Sequence, residues 1–304
     1  MDHGPAIGFI GFGEAGSTIA NGLRTAGVDR LFALDIKTHT PEFGPAIVRR
    51  AAQSRTTLVE SPADLAQSCD ILFSTVTSSS ALAAATDSAR FLDRRHTYAD
   101  LNSVSPALKQ AIDRVISASG ASFVEAAVMA PVLPQQHKVP MLLGGPGAAA
   151  FAATMTPFGM RLEVLAGATV GSAAAVKMCR SIVVKGLEAL LLECAMSASR
   201  FDADHLVWAS LNESYPGIDW KRLADYTAGR VVVHGERRAR EMEEVAETLR
   251  AIGVDPIMAE ATARRQDFCG QLGLSTRFGP DGPKTYREVL DAIGGTTKKV
   301  AGIA

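Results

Sequence analysis

The chain is poor in aromatic residues: Phe, Trp and Tyr make up 6% of its 304 positions, with 2 Trp and 4 Tyr. That is thin material for an all-β sandwich or for a base-stacking surface. Neither sign of charge is in excess, since 31 Lys plus Arg stand against 32 Asp plus Glu for a formal net charge of -1. Nucleic-acid and membrane-surface proteins need a basic excess, so no partner of either kind is expected. Cysteine is scarce. Cys69, Cys179, Cys194 and Cys269 lie far apart, with no C-x-x-C pair and no His at zinc-ligand spacing. This excludes a disulfide framework, and no metal site is expected. Isolated thiols of this kind read as the reduced side chains of a cytoplasmic protein. The first residues, Met1-Asp2-His3-Gly4-Pro5, lack the basic segment of a signal peptide. Long hydrophobic runs are missing too. The most apolar stretch, residues 181–198, is broken by Lys185, Glu188 and Glu193, which marks a core helix and not a bilayer span.

What the chain does have is small apolar residues. It is 47% hydrophobic with 27 Gly, and its length suits two domains of about 150 residues each. Residues 1–166 alternate short apolar runs with amphipathic segments. The runs are Ala6-Ile7-Gly8-Phe9-Ile10, Leu31-Phe32-Ala33-Leu34, Leu58-Val59, Ile71-Leu72-Phe73, Tyr98-Ala99-Asp100, Ser122-Phe123-Val124 and Pro140-Met141-Leu142-Leu143. A helix is expected over residues 17–25. Ser61-Pro62 and Ser105-Pro106 each open a further helix, with serine as cap and proline in the first turn. Strand and helix taking turns predicts parallel βαβ units in a doubly wound α/β sheet. From residue 167 the strand candidates stop. Residues 170–198 and 236–251 read as long helices, so residues 167–304 form an all-α domain whose tail, from Gly294, is expected to fray.

Gly11-Phe12-Gly13-Glu14-Ala15-Gly16 fits G-x-G-x-x-G. The pattern alone is weak, because an ordinary tight turn can produce it. Its context is stronger: an apolar strand precedes it, a helix follows, and Asp35 ends the next strand about 20 residues on. Gly11 permits the turn, Gly13 admits a pyrophosphate, and Gly16 lets helix and strand pack closely. The helix N-terminus offers free N–H groups to the anion. Asp35 would bind ribose hydroxyls and repel a 2′-phosphate, favouring NAD. Lys37 nearby could soften that repulsion, so NADP stays open. Thr75-Val76-Thr77 ends another strand where the cofactor could lie, and Ser78, Ser79 and Ser80 beyond it fit either that role or a helix cap.

Lys177 lies in Gly171-Ser-Ala-Ala-Ala-Val-Lys177-Met-Cys-Arg180-Ser181. At helical spacing Lys177, Ser181, Lys185 and Glu188 form one polar stripe with Arg180 beside it. Such a lysine either snorkels at the edge of a core helix or works as an acid/base with its proton affinity lowered by desolvation and by Arg180.

The glycine fingerprint, Asp100-Leu-Asn102-Ser103-Val-Ser105-Pro106 and Lys177 occur in the order seen in the β-hydroxyacid dehydrogenase superfamily, which the chain resembles over residues 5–190. Residues 100–106 are similar to its D-x-S-T-x-x-P segment. Residues 124–132 resemble its D-A-P-V-S-G-G substrate loop in divergent form, with Met129 inside the altered part. Residues 167–181 resemble its G-x-G-x-x-x-K-x-x-x-N helix, whose lysine is the general acid/base. The best match is a 6-phosphogluconate dehydrogenase-like subgroup with a poorly characterised C-terminal helical domain. The resemblance implies a Rossmann domain followed by a helical substrate and dimerisation domain, a homodimer, and Lys177 as acid/base. It places Gly11, Phe12, Gly13, Glu14, Ala15, Gly16, Asp35, Thr75, Val76, Thr77 and Asn102 on the cofactor. Asn102, Ser103, Met129 and Ser181 fall to the substrate, Ser181 standing where relatives have asparagine.

The densest cationic run, residues 230–242, holds Arg230, His234, Arg237, Arg238 and Arg240. His234, Arg237 or Arg240 could grip a substrate carboxylate. Equally, Glu236, Glu241, Glu243 and Glu244 could neutralise a solvated face. The expected activity is an NAD(P)-dependent oxidoreductase interconverting a small hydroxy acid and its oxo compound. An imine reductase-like enzyme and a non-catalytic dinucleotide-binding module are the alternatives.

Overall fold

The structure is a computed structural model, described over residues 4–278 and 282–301. Its chain forms two compact units, Met1–Lys177 and Met178–Ala304. In the first, eight strands form one sheet: β1 (Ile7–Ile10), β2 (Leu31–Leu34), β3 (Thr57–Leu58), β4 (Ile71–Ser74), β5 (Thr97–Asp100), β6 (Ser122–Val128), β7 (Met141–Gly144) and β8 (Leu162–Val164). Their spatial order is β3-β2-β1-β4-β5-β6-β7-β8. The order reverses at β1, where a doubly wound sheet opens a crevice at its strand ends.

Between the strands run α1 (Glu14–Thr25), α2 (Gly44–Ser54), α3 (Pro62–Ser68), α4 (Ala81–Ala89), α5 (Pro106–Ala118), α6 (Val132–Gln135) and α7 (Ala148–Met155). The two Ser-Pro starts behave as their chemistry requires. Ser61 Oγ accepts from Asp64 N–H at 3.1 Å and Ser105 Oγ from Leu108 N–H at 3.2 Å, each with proline in the first turn. Because strand residues alternate sides, the sheet buries two layers. Ile7, Phe9, Phe73 and Val124 pack with Ile19 and Leu23 of α1. Ile10, Leu72, Tyr98 and Phe123 pack with Leu65 of α3 and Ile112 of α5.

One pairing departs from the parallel pattern: β6 and β7 run antiparallel. The chain between them holds only the four-residue α6 and a 3₁₀ turn, Gln136–Lys138, too little for a parallel crossover, which needs a full helix. β8, which no sequence pattern marked, adds in parallel to β7. Residues 167–177, expected to open the helical domain, belong to the first unit because its side chains hold them. Gln110 Nε2 donates to Val170 O at 3.2 Å, and Glu125 binds the backbone of Gly171 and Ala174.

The helix α8 (Ser172–Ala198) runs on into the second unit, followed by α9 (Asp204–Ser214), α10 (Trp220–Ala251), α11 (Ile257–Gln271) and α12 (Tyr286–Ala301). The backbone that was expected to fray from Gly294 is helical through Ala301. The core gathers Leu191, Leu192, Trp208, Trp220, Val231, Tyr286 and Val289, whereas Tyr215 and Tyr226 are exposed. The helix expected over residues 236–251 is the second part of α10, which leaves helical geometry at His234 (φ -124°, ψ 16°). Just beyond, α10 and α11 meet glycine to glycine. A Cβ on Gly235 would lie 2.5 Å from Gln266 O and 2.6 Å from Gly270 N. All four cysteines are free thiols, and no helix among the described residues is long and apolar enough to cross a membrane.

The glycine contact gives a direct test. Gly235→Ala should destabilise the second unit by about 2 kcal/mol, the cost of overpacking, read as a lower denaturation midpoint. A midpoint equal to wild type would refute the close approach.

Candidate active site

Three glycines open the site, each under a different constraint. Gly11 has φ +83°, and a Cβ there would sit 2.8 Å from Val76 Cγ1 and 2.9 Å from Thr75 O. A Cβ on Gly16 would sit 2.5 Å from Thr75 Oγ1 and 2.8 Å from Gly11 O. Thr75 Oγ1 donates to Gly11 O at 2.7 Å, so the turn after β1 is pressed onto the end of β4. Gly13 is different, because a Cβ there would meet nothing within 4 Å. This opening faces the start of α1, which Gly13 precedes as N-cap residue with no side-chain capping bond. The first N–H groups of a helix have no intrahelical acceptor, and with the helix dipole they attract an anion. Glu14 and Ala15 are exposed at this end.

Asp35 follows β2 and fixes the turn's far side. Its Oδ2 accepts from Phe12 N–H at 2.7 Å and its Oδ1 from Lys37 N–H at 2.9 Å. The Lys37 ammonium lies 4.2 Å from the centre of the Phe43 ring. Val76 is half-buried and Thr77 exposed. Thr77 Oγ1 donates to Ser80 Oγ at 2.9 Å, and Ser80, which precedes α4, makes no side-chain capping bond.

Asn102 is buried beside the ends of β4 and β5. Its Nδ2 donates to Ser74 Oγ at 2.8 Å and to Asp100 Oδ1 at 2.5 Å. Its Oδ1 has no hydrogen-bond partner among the described residues. Ser103 is exposed. Behind them lies an ion pair that spacing did not reveal. Lys109 Nζ donates to Asp100 O at 2.7 Å and lies 3.3 Å from Asp100 Oδ2, with both side chains buried. Lysine nine residues from aspartate, across a loop, carries no periodic signal.

Glu125 is the other residue that motif reading passed over. It is fully buried on β6. Its Oε2 accepts from Gly171 N–H at 2.7 Å and its Oε1 from Ala174 N–H at 2.6 Å. A buried carboxylate thus caps the first turn of α8, and the half-buried Lys177 stands on the next. A lone acid in the apolar strand Ser122–Val128 was the available clue. Met129 is half-buried, its N–H donating to Pro140 O at 2.9 Å. His137, with no sequence signal, is buried, and burial together with Lys138 holds its imidazole below the usual range.

In the second unit Ser181 is half-buried. Lys185 is buried, its Nζ 2.7 Å from Glu241 Oε2 and 3.5 Å from Ser181 Oγ. Burial pulls the Lys185 ammonium below its ordinary range, and Glu241 pulls it back up. Glu188 is not part of an open stripe. It is buried, taking Arg238 Nε at 2.9 Å, Arg230 Nε at 3.3 Å and Gln266 Nε2 at 3.3 Å. Of the cations on α10, Arg238 turns inward, while His234, Arg237 and Arg240 are exposed. Arg237 Nη1 pairs with Glu241 Oε1 at 2.7 Å. Arg238 thus lies outside the solvated face that the neighbouring glutamates would neutralise.

Known proteins place this geometry. Residues 6–155 match the family model of the NAD binding domain of 6-phosphogluconate dehydrogenase. Residues 198–269 match a domain of unknown function, DUF1932. A conserved hypothetical protein from Sinorhizobium meliloti 1021 is 35% identical, with 96% of each chain covered and a TM-score of 0.76. A conserved protein of unknown function, described as structurally similar to 3-hydroxyacid dehydrogenases, is 31% identical with a TM-score of 0.72, over 89% of this chain and 98% of that one. The mitochondrial 3-hydroxyisobutyrate dehydrogenase of Drosophila melanogaster is 26% identical over 70% of this chain and 64% of its own. With a nicotinamide-dinucleotide fold, the matching fingerprint and these relatives, the chain belongs to the β-hydroxyacid dehydrogenase superfamily, in the subgroup that joins the 6-phosphogluconate dehydrogenase NAD-binding domain to a DUF1932 domain.

Proposed function

We propose that this protein is an NAD-dependent oxidoreductase interconverting a small hydroxy acid and its oxo compound, with Lys177 as general acid/base. The observation that carries the reading is the open cradle at Gly13 over an uncapped helix start. A diphosphate fits there, held by the N–H groups of Glu14, Ala15 and Gly16. Asp35, already oriented by two backbone N–H groups, takes the ribose hydroxyls. The unpartnered Asn102 Oδ1 is a buried acceptor for a ligand donor, since leaving it unmet costs about 1–3 kcal/mol.

The nicotinamide, when bound, supplies the acceptor or donor of a hydride. The chain's own part is the proton. Lys177 Nζ takes it from the substrate hydroxyl as the alcohol is oxidised, and returns it to the oxo oxygen in reduction. Glu125 holds the first turn of that lysine's helix against β6. Asn102, Ser103, Met129 and Ser181 orient the substrate. The choice of NAD over NADP rests on charge: Asp35 repels a 2′-phosphate, and Lys37 lies over the Phe43 ring. The Drosophila relative, named for a hydroxy acid, supports the substrate class.

Absorbance of reduced nicotinamide, followed with NAD and NADP across short-chain and aromatic hydroxy acids, tests the reading. Turnover should appear, and Lys177→Met should cut kcat by about 10²–10⁴, the usual weight of acid/base catalysis, with NADH affinity kept. Tight NADH binding without turnover, indifferent to Lys177→Met, would instead mark a non-catalytic binding module. Gly13→Ala should weaken NADH by about tenfold, or about 1.4 kcal/mol, and leave the melting temperature unchanged, because its Cβ meets only open space. Asp35→Ser should move cofactor preference toward NADP by about tenfold or more, and an unchanged NAD to NADP ratio would remove Asp35 from that role.

A further inference from the structure

Asp100 closes β5, and the strand register sets it in one row with Ser74 of β4, Ile10 of β1 and Leu34 of β2. Neighbouring strands stand about 4.8 Å apart. The row therefore runs about 14 Å from the strand that leads into Asp35 to the strand that leads into Asn102, with the Gly13 turn after β1 between them. A dinucleotide with its adenosine ribose at Asp35 and its diphosphate at Gly13 carries its second nucleoside toward β4 and β5. There the buried Asn102 Oδ1 has no hydrogen-bond partner among the described residues.

An amide has a donor side and an acceptor side, and whichever side the protein holds leaves the other for a ligand. Asn102 Nδ2 donates to Ser74 Oγ at 2.8 Å and to Asp100 Oδ1 at 2.5 Å, and the Asn102 backbone N–H donates to that same carboxylate oxygen at 2.9 Å. Ser74 does not set the direction, because a hydroxyl both donates and accepts. Asp100 does. With the amide reversed, its oxygen would be pressed against a carboxylate oxygen, acceptor against acceptor. The carboxylate is in turn held by Lys109, whose Nζ lies 3.3 Å from Asp100 Oδ2 and donates to Asp100 O at 2.7 Å. Both side chains are 1% exposed or less, so water is kept from either charge.

We propose that Lys109 and Asp100 are positioning residues for the cofactor. Neither touches it. Together they commit the nitrogen of the Asn102 amide and leave its oxygen as an acceptor for a donor on the second nucleoside. The proposal rests on the dinucleotide reading above and deepens it, and Lys109 lies outside every motif that reading used.

The test is titration of the full-length protein with NADH and with ADP, which shares the adenosine and diphosphate and lacks the second nucleoside. Removing Lys109 alone strands a buried carboxylate and disturbs the fold. The pair is therefore replaced together by apolar residues of similar size, Asp100→Leu with Lys109→Met. This double variant should weaken NADH about tenfold, as expected for a lost hydrogen bond, and leave ADP within about twofold. Asn102→Ala should do the same. Adding the apolar pair to Asn102→Ala should weaken NADH no further, because residues that act through a third lose their effect once it is gone. Asp100→Asn with Lys109→Met keeps an oxygen facing Asn102 and should restore NADH to within about threefold of wild type. NADH affinity unchanged by the apolar pair, an equal loss of ADP, or an undiminished loss on the Asn102→Ala background would each overturn the proposal. If wild type binds neither NADH nor ADP, the dinucleotide reading fails, and magnetic resonance of the ligand-free protein still decides the pair. The Asn102 Nδ2 protons should resonate downfield of other asparagine amides, as a short bond to a carboxylate requires, and lose that displacement in the apolar-pair variant. Identical resonances in both proteins would refute the positioning role.

Discussion

The turn after β1 and the end of β4 come together so closely that side chains larger than hydrogen are excluded at Gly11 and Gly16, and the rest of the first unit is arranged around that contact. Thr75 locks it by donating to Gly11 O. Asp35 locks the opposite side by accepting from Phe12 N–H. With both flanks fixed, α1 points its uncapped N-terminus at open space beside Gly13. Anion affinity then comes from backbone donors already in place, which costs no reorganisation on binding.

Three buried charged clusters in this protein each hold a piece of backbone or a neighbouring side chain. Lys109 and Asp100 form an ion pair beneath Asn102 and fix the loop that carries it. Glu125 spends both carboxylate oxygens on the start of α8. In the second unit Glu188 gathers Arg238, Arg230 and Gln266. A buried charge without a partner is unstable, and a buried pair adds little net stability over apolar packing. What such pairs supply is orientation, and each of these three sits next to a residue assigned a functional role or on a helix that carries one.

The kink at His234 belongs with the contact just beyond it. Gly235 and Gly270 let α10 and α11 touch backbone to backbone, and from there Arg238 is directed inward while Arg237 and Arg240 stay in solvent. Residues one or two apart on a helix face different ways, so one cationic run serves both a buried network and an open surface.

Local patterns in the chain settled much of this. The glycine spacing, Asp35, the Ser-Pro helix starts and the strand runs depend on backbone conformation within a few residues of each other, and sequence records such constraints directly. Two compact units and a helical second half followed from where strand-like runs stop. Contacts between distant segments were decided only on folding. Nothing local tells β7 to pair antiparallel with β6, or β8 to join at all, because pairing depends on how much chain lies between strands and where it is carried. Glu125 and Ala174 are remote in sequence, as are Lys185 and Glu241, and each became a partner because packing brought a charge to a group able to satisfy it away from water.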